Sequence, residues 1–205
     1  MRLAAEAWTA LRALTPLGRG SPRVTEPGAL AWYPVVGLGI GALAAFVTRL
    51  LPSAGAVAGV GVLEVLGGGR PAPRGLPVAL ATLALELGAA CALPAAARPV
   101  AFLLAPMLGR WALVVQSYGG SPARGVGKAG FREFGVASTI AFAVTLALGQ
   151  AIGLVLLVVA ALETIALRVV IYRCLGTLTP GALGATGAAV EAGVLLVLAL
   201  LLGRG

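Results

Sequence analysis

"VASTIAFAVTLALGQAIGLVLLVVAALETIALRVVIYR", residues 136–173, is a nearly unbroken apolar run. A helix rises ~1.5 Å per residue and the hydrocarbon core of a bilayer is ~30 Å thick, so the run is too long for one crossing. Glycines at 149 and 153 supply the only punctuation inside it. The sequence therefore predicts two spans, five and six, separated near Gly149–Gly153 and carrying Glu163 and Arg168. The apolar residues are continuous rather than alternating, which argues for helices and against the strands of a membrane barrel.

The same reading extends outward in both directions. Span one covers about 29–51, with Trp32 and Tyr33 at its entry and Arg49 near its exit. Gly37 and Gly41 stand at GxxxG spacing, which suits close helix packing. Span two, about 54–66, is short and holds Glu64. The Gly/Pro loop "GGGRPAPRG" follows, with Arg70 and Arg74. Span three runs over about 76–96 with Glu86 inside it, and span four over about 100–118 with Pro106 and Arg110. A polar connection at 119–135 carries Arg124, Lys128 and Arg132. Span seven starts near Leu183 and ends near Leu202. The N-terminal residues 1–18 contain Arg2, Glu6 and Arg12, so no uninterrupted signal-peptide core forms. Leu3, Trp8, Leu11 and Leu14 are spaced for one helical face, which predicts an interfacial helix with Trp8 at headgroup level. The expected architecture is all-α: one integral membrane domain over 1–205, about seven transmembrane helices and an N-terminal interfacial helix.

Composition agrees. The chain is 60% hydrophobic and 11% charged, against the roughly 25% charged residues of a soluble domain. Its net charge is +8. With no dense basic patch interleaved with aromatics, this charge reads as loop topology and contact with anionic headgroups rather than nucleic-acid binding. With the N-terminus inside, seven spans put Arg2, Arg12, Arg19, Arg23, Arg70, Arg74, Arg124, Lys128, Arg132 and Arg173 on the cytoplasmic side. Arg49, Arg98 and Arg204 fall on the other side. This asymmetry follows the positive-inside rule. Cys91 and Cys174 are isolated and make neither a metal motif nor a disulfide framework.

Asp, His and Asn are absent from the whole chain. A Ser-His-Asp arrangement and an HExxH zinc site are thereby excluded. Three charges lie deep in apolar segments: Glu86, Arg110 and Glu163. A charge at that depth costs a few kcal/mol or more, so Arg110 is expected to pair with Glu86 or Glu163. Glu64 and Arg168 lie nearer the interface and can snorkel. The three inner loops combine Gly with Arg, Thr or Ser. Such loops let backbone and guanidinium groups grip phosphate, which suggests a phosphorylated substrate at the cytoplasmic surface. A small-solute transporter using Glu86, Arg110 and Glu163 is another reading of the same residues.

Several stretches resemble the cobalamin synthase family, adenosylcobinamide-GDP ribazoletransferase. "RCLGTLTPGALGA" is similar to the pattern R-x-L-G-G-x-T-G-D-x-L-G-A at Arg173, Leu175, Gly176, Thr179, Leu183, Gly184 and Ala185. Glu191 falls on the second of the glutamates that follow it. "LLAPMLGRWALVV" resembles A-P-x-x-G-R-W/x-A through Ala105, Pro106, Gly109, Arg110 and Trp111. "YGGSPARGVGKAGF" is similar to a Y-A-R-x-x-G-L-G loop, and "LRALTPL" and "AWYPVVGLGIGAL" to N-terminal elements. The resemblance implies a Mg²⁺-dependent phosphotransferase of the bacterial inner membrane. It would join adenosylcobinamide-GDP to α-ribazole or its phosphate, releasing GMP and forming a cobalamin late in that pathway. The residues it implies for phosphate or substrate are Arg74, Arg110, Arg124, Gly176, Thr179 and Gly184. Glu64 and Glu191 are the candidates left for metal, and Glu191 for catalysis.

The chain departs from the family pattern where the pattern is acidic. "LGGGRPAPRG" stands in place of G-G-x-H-x-D-G-x-A-D-x-x-D-G, and Gly181 stands at the Asp of T-G-D. The resemblance is therefore compatible with a catalyst or with a non-catalytic scaffold or ligand-binding paralogue. The scaffold could act as an oligomer or with other corrin-pathway proteins.

Overall fold

The computed structural model describes residues 2–15, 27–51, 53–67, 76–119 and 127–203. Eight helices follow one another along these residues: α1 (Arg2–Leu14), α2 (Pro27–Leu30), α3 (Tyr33–Leu50), α4 (Gly55–Leu66), α5 (Leu76–Ala92), α6 (Arg98–Ser117), α7 (Phe131–Leu175) and α8 (Pro180–Leu202). Four helical stretches are long and apolar enough to cross a membrane, and two shorter apolar helices accompany them. This is an all-α polytopic membrane protein.

α7 is a single helix only in name. Gln150, with φ 49° and ψ −128°, breaks it inside the glycine-flanked segment that the sequence marks as a turn. The chain reverses there. A β-carbon on Gly153 would overlap the carbonyl oxygen of Thr145. At the far end, Phe134 of the first arm stacks on Tyr118, while Arg168 of the second arm bonds the carbonyl of the same Tyr118. The arms 131–149 and 151–175 are thus two antiparallel spans. With α3, α6 and α8 they make five long apolar arms among the described residues, and α4 and α5 are the shorter apolar helices beside them.

α6 is the central helix, and its middle is buried all round. Pro106 has no N–H, so it leaves the carbonyl of Phe102 without its helical donor. α3 covers the gap. β-carbons on Gly37 and Gly41 would fall on the carbonyl oxygens of Pro106 and Phe102. Glycine at both positions lets the two backbones touch there, as the GxxxG spacing predicts. The pairing of 37 with 106 and 41 with 102 makes α3 and α6 antiparallel.

These contacts sort the ends of the helices. The start of α3, the end of α6, the start of α7 and the α7–α8 turn share one face, toward which α4 runs. The end of α3, the start of α4, the 93–97 turn, Gln150 and Gly203 share the other; a β-carbon on Gly203 would lie 2.8 Å from the Ala92 carbonyl. α4 has 12 residues, so it rises only ~18 Å, too little to cross the core unaided. It ends beside Arg110, seven residues before Ser117 on α6. The chain therefore leaves α4 ~10 Å below that face.

α1 packs on this body through Glu6, Ala10 and Leu14, all buried, and directs Trp8 outward. Leu3, grouped with the apolar face by its spacing, is exposed, because the first turn of α1 overhangs its contact with α2 and α3. The carboxyl of Glu6 lies against Gly28 at the start of α2, where the first amide groups of a helix favour negative charge. α8 begins at Pro180, three residues before the expected start, since Pro180 fits the first helical turn and Thr179 caps it. α5 ends at Ala92, earlier than the expected 96, because the chain turns at 93–97.

Candidate functional site

Two glycines bring the charged centre together. α6 and α8 cross where a β-carbon on Gly109 would stand 2.7 Å from the Gly187 carbonyl, and Gly187 itself packs on Leu113. One residue beyond Gly109 is Arg110, and one turn beyond Gly187 is Glu191. Arg110 Nη1 donates to Glu191 Oε2 at 2.7 Å. The two side chains are 3% and 0% exposed. The second guanidinium nitrogen, Nη2, lies 2.8 Å from where a β-carbon of Gly67 would be. That places positive charge at the C-terminal end of α4, where the helix dipole is negative.

The expected pairing of Arg110 with Glu86 or Glu163 is therefore corrected: among the described residues its ion pair is with Glu191. Depth along a helix is legible in sequence, but the face on which a side chain emerges depends on how helices cross. Glu86 is fully buried on α5. Glu163 lies against Gly193 on the other side of α8.

The remaining candidates fall in separate places. Gly176 has φ 69° and terminates α7 in the left-handed conformation that glycine tolerates without cost. The Thr179 hydroxyl accepts from the Ala182 N–H at 3.2 Å and caps α8. Gly184 lies in the opening turns of α8. In this structure the Gly- and Thr-rich stretch is a tight helix–turn–helix. Arg74 and Arg124 lie outside the described residues. Glu64 is half-buried on α4.

Sequence reasoning treated Arg168 as a snorkelling cation, but the structure gives it a fixed place. Its Nη1 and Nη2 donate to the carbonyls of Val115 at 3.3 Å and Tyr118 at 3.0 Å, satisfying the end of α6, and it lies over the ring of Tyr172. The base of the following connection is fixed as well. The Ala129 N–H donates to Ser117 O, and the Tyr118 and Phe134 rings stack at 4.6 Å. The aromatics at 118 and 134, bracketing a Gly-rich connection, were the available signal.

Mg²⁺, which the family resemblance implies, binds through carboxylate and other oxygen ligands. The Glu191 carboxylate is engaged by a guanidinium, whose charge opposes a cation at the same place. No group of three acidic, Cys or His side chains that could hold a metal occurs among the described residues. The donor set among the described residues does not fit Mg²⁺.

Fold and centre together define a polytopic helical membrane protein with a buried Arg–Glu pair at the α6–α8 crossing. The family model for cobalamin-5-phosphate synthase matches residues 61–199, which takes in α6, α7, most of α8 and both members of that pair. The chain belongs to this family, and its role lies in cobalamin biosynthesis. No curated protein and no solved structure matches it.

Proposed function

We propose that this chain serves the late cobalamin-assembly step as a binding and scaffolding member of the family rather than as a Mg²⁺-dependent phosphotransferase. The ligands proposed are those of the family reaction, adenosylcobinamide-GDP and α-ribazole or its phosphate. The location proposed is the bacterial inner membrane, with the N-terminus and the 119–135 connection in the cytoplasm. The observation that carries the reading is the state of Glu191. The one acid that falls on a family glutamate near the centre is sealed in an ion pair with Arg110.

Transfer from a diphosphate depends on neutralising charge at the leaving oxygen, a task of metal ions worth several kcal/mol. This chain's own groups support a different task. The Gly- and Arg-containing connections supply amides and guanidinium groups that can contact phosphate without a metal.

The test is corrinoid product formation from adenosylcobinamide-GDP and α-ribazole with excess Mg²⁺, in vesicles, beside a family member with the acidic signature. The expected result is measurable nucleotide binding with turnover at least about 100-fold below that relative. Robust turnover that is abolished by Glu191→Gln would overturn the reading.

A further inference from the structure

Glu163 is the acid that the Arg110–Glu191 centre leaves unused. It lies twelve residues from either end of the arm 151–175, so ~18 Å of helix separates it from each end. It sits on the flank of that arm, where the arm meets α8, and is only partly buried. Its neighbours Leu162 and Ile165 point outward and are exposed.

The carboxyl rests on the bare backbone of Gly193. A β-carbon there would stand 3.0 Å from Cδ and 3.1 Å from Oε1, and would overlap Oε2. Glycine at 193 thus leaves the space that the carboxyl fills. No hydrogen bond or ion pair reaches Glu163 among the described residues.

The facing groups are uncharged or engaged elsewhere. On α8, Ala189, Ala192 and Val197 surround Gly193, and Glu191 turns away to Arg110. On its own arm, Arg168 is held by the carbonyls of Val115 and Tyr118. On α6, Gln116 donates to the carbonyl of Thr164. A bare carboxylate facing hydrocarbon with no cation beside it is the costliest state this group could adopt.

We propose that Glu163, seated on Gly193, is a proton-binding site at mid-depth on the α7–α8 seam, open to the lipid and modifiable by a hydrophobic carbodiimide. The chemistry balances without a further reactant. The carboxyl O–H adds across one C=N bond of the reagent, with the proton going to nitrogen and the oxygen to carbon. The O-acylisourea then rearranges by acyl migration to a stable N-acylurea, and nothing leaves. The proposal does not depend on the reading of the centre as a scaffold.

The experiment uses the whole protein in phosphatidylcholine vesicles near neutral pH. It is treated with dicyclohexylcarbodiimide or with a water-soluble carbodiimide, and adducts are located by peptide mass spectrometry. The expected result is an adduct at Glu163 at least about tenfold above that at ion-paired Glu191. It should form with the hydrophobic reagent only and be lost in Glu163→Gln. Gly193→Ala, which displaces the carboxyl, should change its yield. Absence of an adduct at Glu163, or equal labelling by the water-soluble reagent, would overturn the proposal.

Discussion

Arg110 Nη1 and Glu191 Oε2 are 2.7 Å apart on helices that touch through Gly109 and Gly187, and both side chains are sealed from solvent. Removing one partner strands a buried charge, which costs roughly 3–5 kcal/mol. Arg110→Leu should therefore lower stability by about that amount. Arg110→Leu combined with Glu191→Leu should recover most of the loss, because neither member of this pair is then left charged without the other. Pairing Arg110→Leu with Glu163→Leu should recover none. Thermal unfolding of the three variants in detergent checks the assignment, and rescue by the Glu163 partner would contradict it.

The α3–α6 contact makes a sharper demand on side-chain size. Gly41→Ala puts a methyl onto the Phe102 carbonyl, and backbone cannot step aside as a flexible side chain can. A loss of roughly 1–3 kcal/mol is expected. Gly39→Ala, two residues earlier with nothing within 4 Å of its new methyl, should be neutral or gain up to about 1 kcal/mol from helix propensity. Equal unfolding temperatures for the two variants would count against the packing.

Gln150 bears the strain of the turn. Its φ of 49° with ψ −128° is the backbone of the first central position of a type II′ turn, where glycine is the preferred residue. Gln150→Gly should raise stability by about 1 kcal/mol. Gln150→Val should lower it, since a branched side chain tolerates that region least. Denaturation of both variants reads the sign directly.

Sidedness follows from which helix ends share a face. In a chain with Cys91 and Cys174 replaced by Ala, Ser121→Cys should resist an impermeant maleimide added to intact cells, and Ser53→Cys should react. Ser117 and Phe131, which flank the connection that holds Ser121, lie on the face opposite Ser53, and the positive-inside rule puts the basic connections on the side of Ser117 and Phe131. Labelling of Ser121→Cys from outside would invert the proposed orientation.

Much of the fold was legible because a bilayer limits the alternatives. Apolar length gave the spans, and the excess of 136–173 over one crossing pointed to the turn now seen at Gln150. Gly37 and Gly41 announced a close contact, although not that α6 would be its partner. The centre was only half legible. Arg110 stood out by depth, but Glu191 looked like a remnant of a motif until the Gly109–Gly187 crossing turned it inward. Gly176 and Thr179 had a phosphate-loop composition because helix ends and phosphate loops need the same things: a positive φ and a short hydroxyl side chain.

The turn at Gln150 also constrains how the chain is made. One non-helical residue separates two apolar arms, so no hydrophilic segment exists on which the arms could be threaded separately through the insertion machinery. The arm 131–149 also finds its partners within the bundle. Its polar positions Ser138 and Thr145 face inward or bond within the protein, with Ser138 receiving the Trp111 indole N–H at 3.1 Å. The two arms therefore form a hairpin whose tip carries no hydrophilic loop to be moved across the bilayer.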